Sequence, residues 1–149
     1  MNIQTLERMS LAELEVLYRD TPLGQIPTGV FHGTVLHWLD NPGARDPFFH
    51  TVEWFGFDVL RWGIRFDRWQ WWFLCQCLSL GRFDATVGPS RWRDTETHRL
   101  RYERACLPRF VRDTLYDEVK PLGADLCLGI GGINRGRGEG DHFFYALYR

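Results

Sequence analysis

The chain has 149 residues, of which 44% are apolar and 25% charged, with a formal net charge of −1. That balance excludes wholesale disorder, and it argues against a general electrostatic grip on DNA or acidic lipid. The length suits one domain, residues 1–149, with a core that needs no disulfide or metal staple.

No apolar run is long enough to cross a bilayer as a helix, and the first residues lack a basic n-region and an apolar h-region. The expected location is therefore cytoplasmic. Cys75, Cys77, Cys106 and Cys127 then read as reduced thiols, mostly small buried hydrophobes. Cys75 and Cys77 could chelate a metal from one strand face, but the paired C-x-x-C or Cys/His sets of zinc sites are missing, so no metal and no cofactor is expected. Two biases stand out. Aromatics reach 15% with seven Trp, and the 18 basic residues are 17 Arg and Lys120.

Thr5 to Asp20 reads as one helix. Ser10 and Glu13 form a capping box, and Leu11, Leu14, Leu17 and Tyr18 fall on one face. Pro22, Gly24, Pro27 and Gly29 break the pattern into a loop. Val30 to Leu39 follows as a strand, with Val30, His32, Thr34, Leu36 and Trp38 on one face and Phe31, Gly33, Val35, His37 and Leu39 on the other. Asp46-Pro47 looks like an N-cap followed by Pro at the first helical position. The stripe Phe48, Val52, Phe55, Val59, Trp62 then predicts a second amphipathic helix.

From Gly63 the periodicity shortens. Gly63 to Asp67, Trp69 to Leu80, Arg82 to Val87 and Thr97 to Cys106 read as strands. Within the second, Trp69, Trp71, Phe73, Cys75 and Cys77 share a wholly apolar face that is turned inward. Pro108 to Val119 fits either a helix or a strand. Leu126 to Ile133 and His142 to Tyr148 close the chain as a strand pair around a polar, Gly-rich loop. Short strands with few long crossovers define a mainly β (α+β) chain with an antiparallel sheet. Apolar residues on both faces of the middle strands imply a sheet curled into a barrel of about eight strands, filled by side chains or holding one small ligand.

Ile26-Pro27-Thr28-Gly29, Gly33-Thr34, Trp62-Gly63-Ile64-Arg65-Phe66-Asp67, Arg112-Asp113 with Leu128-Gly129, and Phe143-Phe144-Tyr145-Ala146-Leu147 carry a resemblance. Together they resemble small uncharacterised bacterial lipocalin-like (calycin-type) domains, including the GXWXG-containing type. Where that pattern has Lys after Trp-Gly, this chain has Ile64. The resemblance implies an antiparallel lipocalin-like β-barrel with an apolar cavity, with the helix 5–20 and the capping helix packed on it.

The aromatic interior is the main candidate for binding. Trp62, Trp69, Trp71, Phe73, Cys75 and Trp38 would wall a pocket for an apolar or polycyclic ligand, with Arg65 or Arg91 anchoring a carboxylate. The plain alternative is that the rings simply fill the barrel. For proton transfer the candidates are His98, Tyr102, His32 and Asp113. Imidazole titrates near neutrality, and a carboxyl group in an apolar cavity has a raised pKa; Arg112-Asp113 could equally be a structural ion pair. Seven Arg between 91 and 112 would make a basic stripe for phosphate or RNA, diluted by Asp94, Glu96, Glu103 and Asp113. There is no G-x-S-x-G elbow, and Gly129 to Asn134 is no dinucleotide loop, because no helix follows it.

The expected function is binding of a hydrophobic small molecule. Turnover, if present, would be a cofactor-free isomerisation or cyclisation in which the walls fix a conformer and one side chain moves a proton. The alternatives are a non-catalytic carrier or sensor and, more distantly, an Arg-rich phosphate or RNA module. No membrane partner is expected.

Overall fold

The structure, a computed structural model, describes residues 1–39, 51, 54–74, 78–133 and 141–149. Where one N-terminal helix was expected there are two, α1 (Ile3–Glu7) and α2 (Leu11–Asp20). The capping box explains the break. Glu13 N–H donates to Ser10 Oγ at 3.4 Å and Ser10 N–H donates back to Glu13 Oε2 at 2.7 Å, so α2 starts afresh at Leu11.

Nine antiparallel strands follow among the described residues. They are β1 (Val30–Trp38), β2 (Trp62–Arg65), β3 (Gln70–Phe73), β4 (Leu78–Arg82), β5 (Asp84–Pro89), β6 (Glu96–Arg101), β7 (Leu115–Pro121), β8 (Leu126–Ile133) and β9 (Phe143–Tyr148). A short helix, α3 (Arg109–Arg112), precedes β7, so the ambiguous segment is helix first and strand second. The spatial order is β4-β3-β2-β1-β9-β8-β7-β6-β5. The two edge strands are consecutive in the chain, joined by Phe83 alone, whose N–H donates to the Trp69 carbonyl at 2.8 Å. The sheet thus curls into a nearly closed barrel of a lipocalin-like α+β kind, with nine strands rather than about eight.

Strand alternation sorts the apolar residues into two clusters. The inner one holds Phe31, Trp62, Ile64, Phe66, Trp71, Phe83, Leu100, Tyr102, Phe143, Tyr145 and Leu147. The outer one packs Leu6, Leu14 and Tyr18 of the helices on Leu126, Leu128, Ile130, Phe144 and Ala146 of β8 and β9. The single lysine fastens that layer. Lys120 Nζ, on the outer face of β7, donates to Thr21 O at 2.7 Å and Thr95 Oγ1 at 2.6 Å, just past the end of α2.

Three expectations change. Trp69 to Leu80 is not one strand: β3 ends at Phe73, and Trp69 and Leu74 on either side of it adopt left-handed backbone with φ of 54° and 52°. In β1 the pairing with β9 shifts between Val35 and His37, so the bulge turns Trp38 inward while His37 bonds outward to Met9 O at 3.0 Å. Of the predicted capping helix, Phe48 and Val52 lie outside the described residues. Phe55–Val59 form a single π-helical turn, and Trp62 opens β2 instead of ending a helix stripe.

Candidate functional site

Inside the barrel the large rings meet in edge-to-face, tilted and stacked geometries. Phe57 reaches down from the π-helical turn, its ring centroid 5.1 Å from Trp62 and from Phe143 and 5.6 Å from Trp71. Trp62 and Trp71 lie 5.0 Å apart, and Phe73 stacks on Trp71 at 6.5 Å. Trp62 fits because β1 offers Gly33 beneath it; a Cβ there would stand 2.3 Å from the indole. Geometries of this kind add about 0.5–1.5 kcal/mol per pair beyond area burial.

One polar chain runs through this apolar interior. Trp71 Nε1–H donates to Tyr102 Oη, and Tyr102 O–H donates to Asp117 Oδ2. Tyr102 follows β6 and Asp117 sits in β7, both on inward positions, and their exposures are 2% and 5%. Desolvation first, then the neighbouring Asp117 charge, pushes the Tyr102 hydroxyl well above its usual range. Tyr145, in the same interior, is raised for the same two reasons in the same order, and its hydroxyl donates to Glu118 O at 3.3 Å.

The chemistry of this chain has a direction. Tyr102 giving up its proton would place a phenolate against a carboxylate in a dry site, which is costly. Asp117 is therefore the group able to accept a proton, and Tyr102 and Trp71 hold it in place. Hydrogen bonds in series polarise one another, which strengthens the arrangement. Asp117 was not chosen as a site residue because the segment that holds it, Pro108 to Val119, read as either helix or strand. Its signal is the alternation Leu115, Asp117, Val119, an acid between two inward apolar residues on a strand.

The other candidates are spread more widely. His98 points inward, but at the far end of β6, where Nε2 lies 2.7 Å from Gly24 O. His32 is exposed on the outer face of β1, its ring 5.2 Å from Trp72 and 6.0 Å from Tyr148. Asp113 follows α3, its carboxylate 3.4 Å from the Arg109 guanidinium. Trp38, Trp62, Trp71 and Phe73 do share the inner cluster. Trp69 is 39% exposed at the rim, its ring edge-on to Phe66 and Phe83. Cys75 lies outside the described residues. Arg65 shares the outer side of β2 with Gly63, and Arg91 lies over the Tyr116 ring at 4.0 Å, so neither faces the aromatic interior.

The outer face also buries a carboxylate. Glu118 accepts from Tyr116 Oη at 2.7 Å, Arg91 N–H at 2.7 Å and Tyr18 Oη at 3.3 Å. It braces α2 and the 90–95 turn against the barrel. An open cleft of about 790 Å³ lies between loop 21–28 and turn 121–124. Leu17, Ile26 and Leu122 line it together with Pro, Gly and Thr, and the Arg149 guanidinium is already on Thr28 O, Ala124 O and Asp125. It brings together no acid–base pair, so the interior is the better candidate despite the cleft's size. Among the described residues no cluster of His, Cys, Asp and Glu is arranged to hold a metal, and no helix is long and apolar enough to cross a membrane.

These features define an aromatic-rich, nearly closed antiparallel barrel of lipocalin-like fold, compatible with small-molecule binding. No family model and no curated protein matches the chain. Among solved structures it is similar to a crystal structure of a protein from Thermomonospora curvata, with TM-score 0.54 and 17% identity over 99% of this chain and 92% of that one. At that identity the likeness is one of fold alone.

Proposed function

We propose that the barrel binds an apolar, ring-bearing small molecule against its inner aromatic face, with Asp117 as the proton acceptor if the ligand is turned over. The observation that supports this is the buried Trp71–Tyr102–Asp117 chain. A barrel stabilised by packing alone gains little from a carboxylate placed among Trp and Phe rings, and an apolar residue of similar volume is often as stable there. The reaction class that suits such a site is a cofactor-free isomerisation or cyclisation, in which rigid walls select a conformer and one base moves a proton.

Native mass spectrometry of protein purified from its own host, together with indole emission against a panel of apolar and polycyclic compounds, tests the reading. A retained ligand, or saturable quenching that weakens in Trp71→Phe, supports it. An empty protein with unchanged emission across the panel overturns it. A carrier and an enzyme separate at Asp117→Asn. An enzyme loses conversion of the retained compound while keeping most of its affinity, whereas a carrier has no conversion to lose. The RNA reading has weaker support, because Arg93, Arg101, Arg104 and Arg109 each pair with an acidic side chain.

A further inference from the structure

A second site lies at the outer surface where α3 leads into β7. A small pocket of about 40 Å³ is lined by Arg91, Arg101 and Arg112, with Glu103, Leu115 and the two tyrosines 102 and 116 in the rest of its wall. A single water needs roughly 10–15 Å³ by the same measure, so this space takes several waters or one compact oxyanion. The charge balance is positive. Three guanidiniums meet the Glu103 carboxylate, held by Arg101 at 2.5 Å, and the Glu118 carboxylate, held behind Tyr116.

An independent observation points to a ligand. Arg112 Nη1 donates to Glu103 O at 3.0 Å, but its Nε is buried with no hydrogen-bond partner. A buried charged donor left unmade costs more than the net worth of an ordinary hydrogen bond, so such an atom calls for an explanation, of which an absent ion is one. The guanidinium edge presents parallel donors that match two oxygens of a carboxylate, phosphate or sulfate.

We infer that this pocket binds a small oxyanion, the acidic head of a carboxylate, phosphate or sulfate compound, with Arg112 as its main donor and Arg91 and Arg101 at the rim. The site stands on the pocket alone. It holds or fails independently of binding to the aromatic interior.

Calorimetry with sodium phosphate, sodium sulfate and sodium benzoate, each against sodium chloride at matched ionic strength, tests it. Saturable binding of at least one of the three, weakened tenfold or more in Arg112→Gln and unchanged in Arg104→Gln, supports the site; which anion binds tightest separates a carboxylate from a phosphate or sulfate head. Arg101→Gln serves as a second variant, because that side chain is half exposed and its loss leaves the fold intact. Should Arg112→Gln fail to fold, a fivefold or greater weakening in Arg101→Gln carries the same meaning. Heats equal to those of chloride, or binding indifferent to both variants, overturn the inference.

Discussion

Asp117 in β7 pairs across the ladder with Gly131 in β8, and a Cβ on Gly131 would stand 1.7 Å from Asp117 Oδ1. The carboxylate occupies the space a side chain would have taken. Gly131→Ala therefore drives Asp117 away from Tyr102 and destabilises the fold by about 1–3 kcal/mol, the usual cost of overpacking. Urea denaturation measures it. The same substitution made on top of Asp117→Ala should cost distinctly less, and equal costs in both backgrounds would show that the contact is not the cause.

Four tyrosines share an electrostatic situation. Tyr18, Tyr102, Tyr116 and Tyr145 all have hydroxyls raised above the usual value, first by burial and next by a neighbouring carboxylate, Glu118 or Asp117. Each binds its proton more tightly folded than unfolded. Their contribution to stability is whole below the unfolded pKa of about 10 and declines as pH rises past it. An alkaline titration should show phenolate absorbance from these four appearing together with loss of the far-ultraviolet strand signal. Smooth ionisation near pH 10 in a protein that stays folded would contradict their burial.

Two cysteines offer a chemical readout. Cys127 is fully buried in the inner cluster, and desolvation pushes its thiol up to about 12, while Cys106 is exposed. Alkylation at neutral pH followed by peptide mapping should label Cys106 and spare Cys127 until denaturant is added, because the thiolate is the reactive form. Rapid native labelling of Cys127 would mean that the barrel opens readily.

Lys120 is 1% exposed and its ammonium bonds Thr21 O and Thr95 Oγ1. Lys120→Met leaves these oxygens to find other donors, at an expected loss of about 1–3 kcal/mol. Hydrogen exchange should show that the loss of protection concentrates in α2 and the 90–95 turn. A uniform loss over all strands would instead assign Lys120 a general packing role.

How much of this was legible beforehand depended on the kind of signal. Val30 to Leu39 was readable from its β-branched and aromatic residues without Pro, and His142 to Tyr148 from a short apolar run, which fits a strand that meets a core on both sides. The β1 bulge was not, since a single extra residue in one strand leaves no compositional trace yet reverses the sides of His37 and Trp38. Ser10 and Glu13 already marked a helix start, and the expectation of one helix from Thr5 overlooked that a cap begins something. Among the site residues Tyr102 was singled out and its partner was not. Their contact joins the residue just past β6 to one within β7, and only the register of those two strands brings them together.

Every pairing in the sheet but one joins strands that follow each other along the chain; the exception sets β1 against β9, His32 opposite Tyr148. During synthesis one side of the first strand must therefore wait for β9, which emerges after the other eight strands. Such a long-range closure is slow, and the waiting intermediate carries two unzipped borders. A chain shortened by its final strand would be held in that vulnerable state for good.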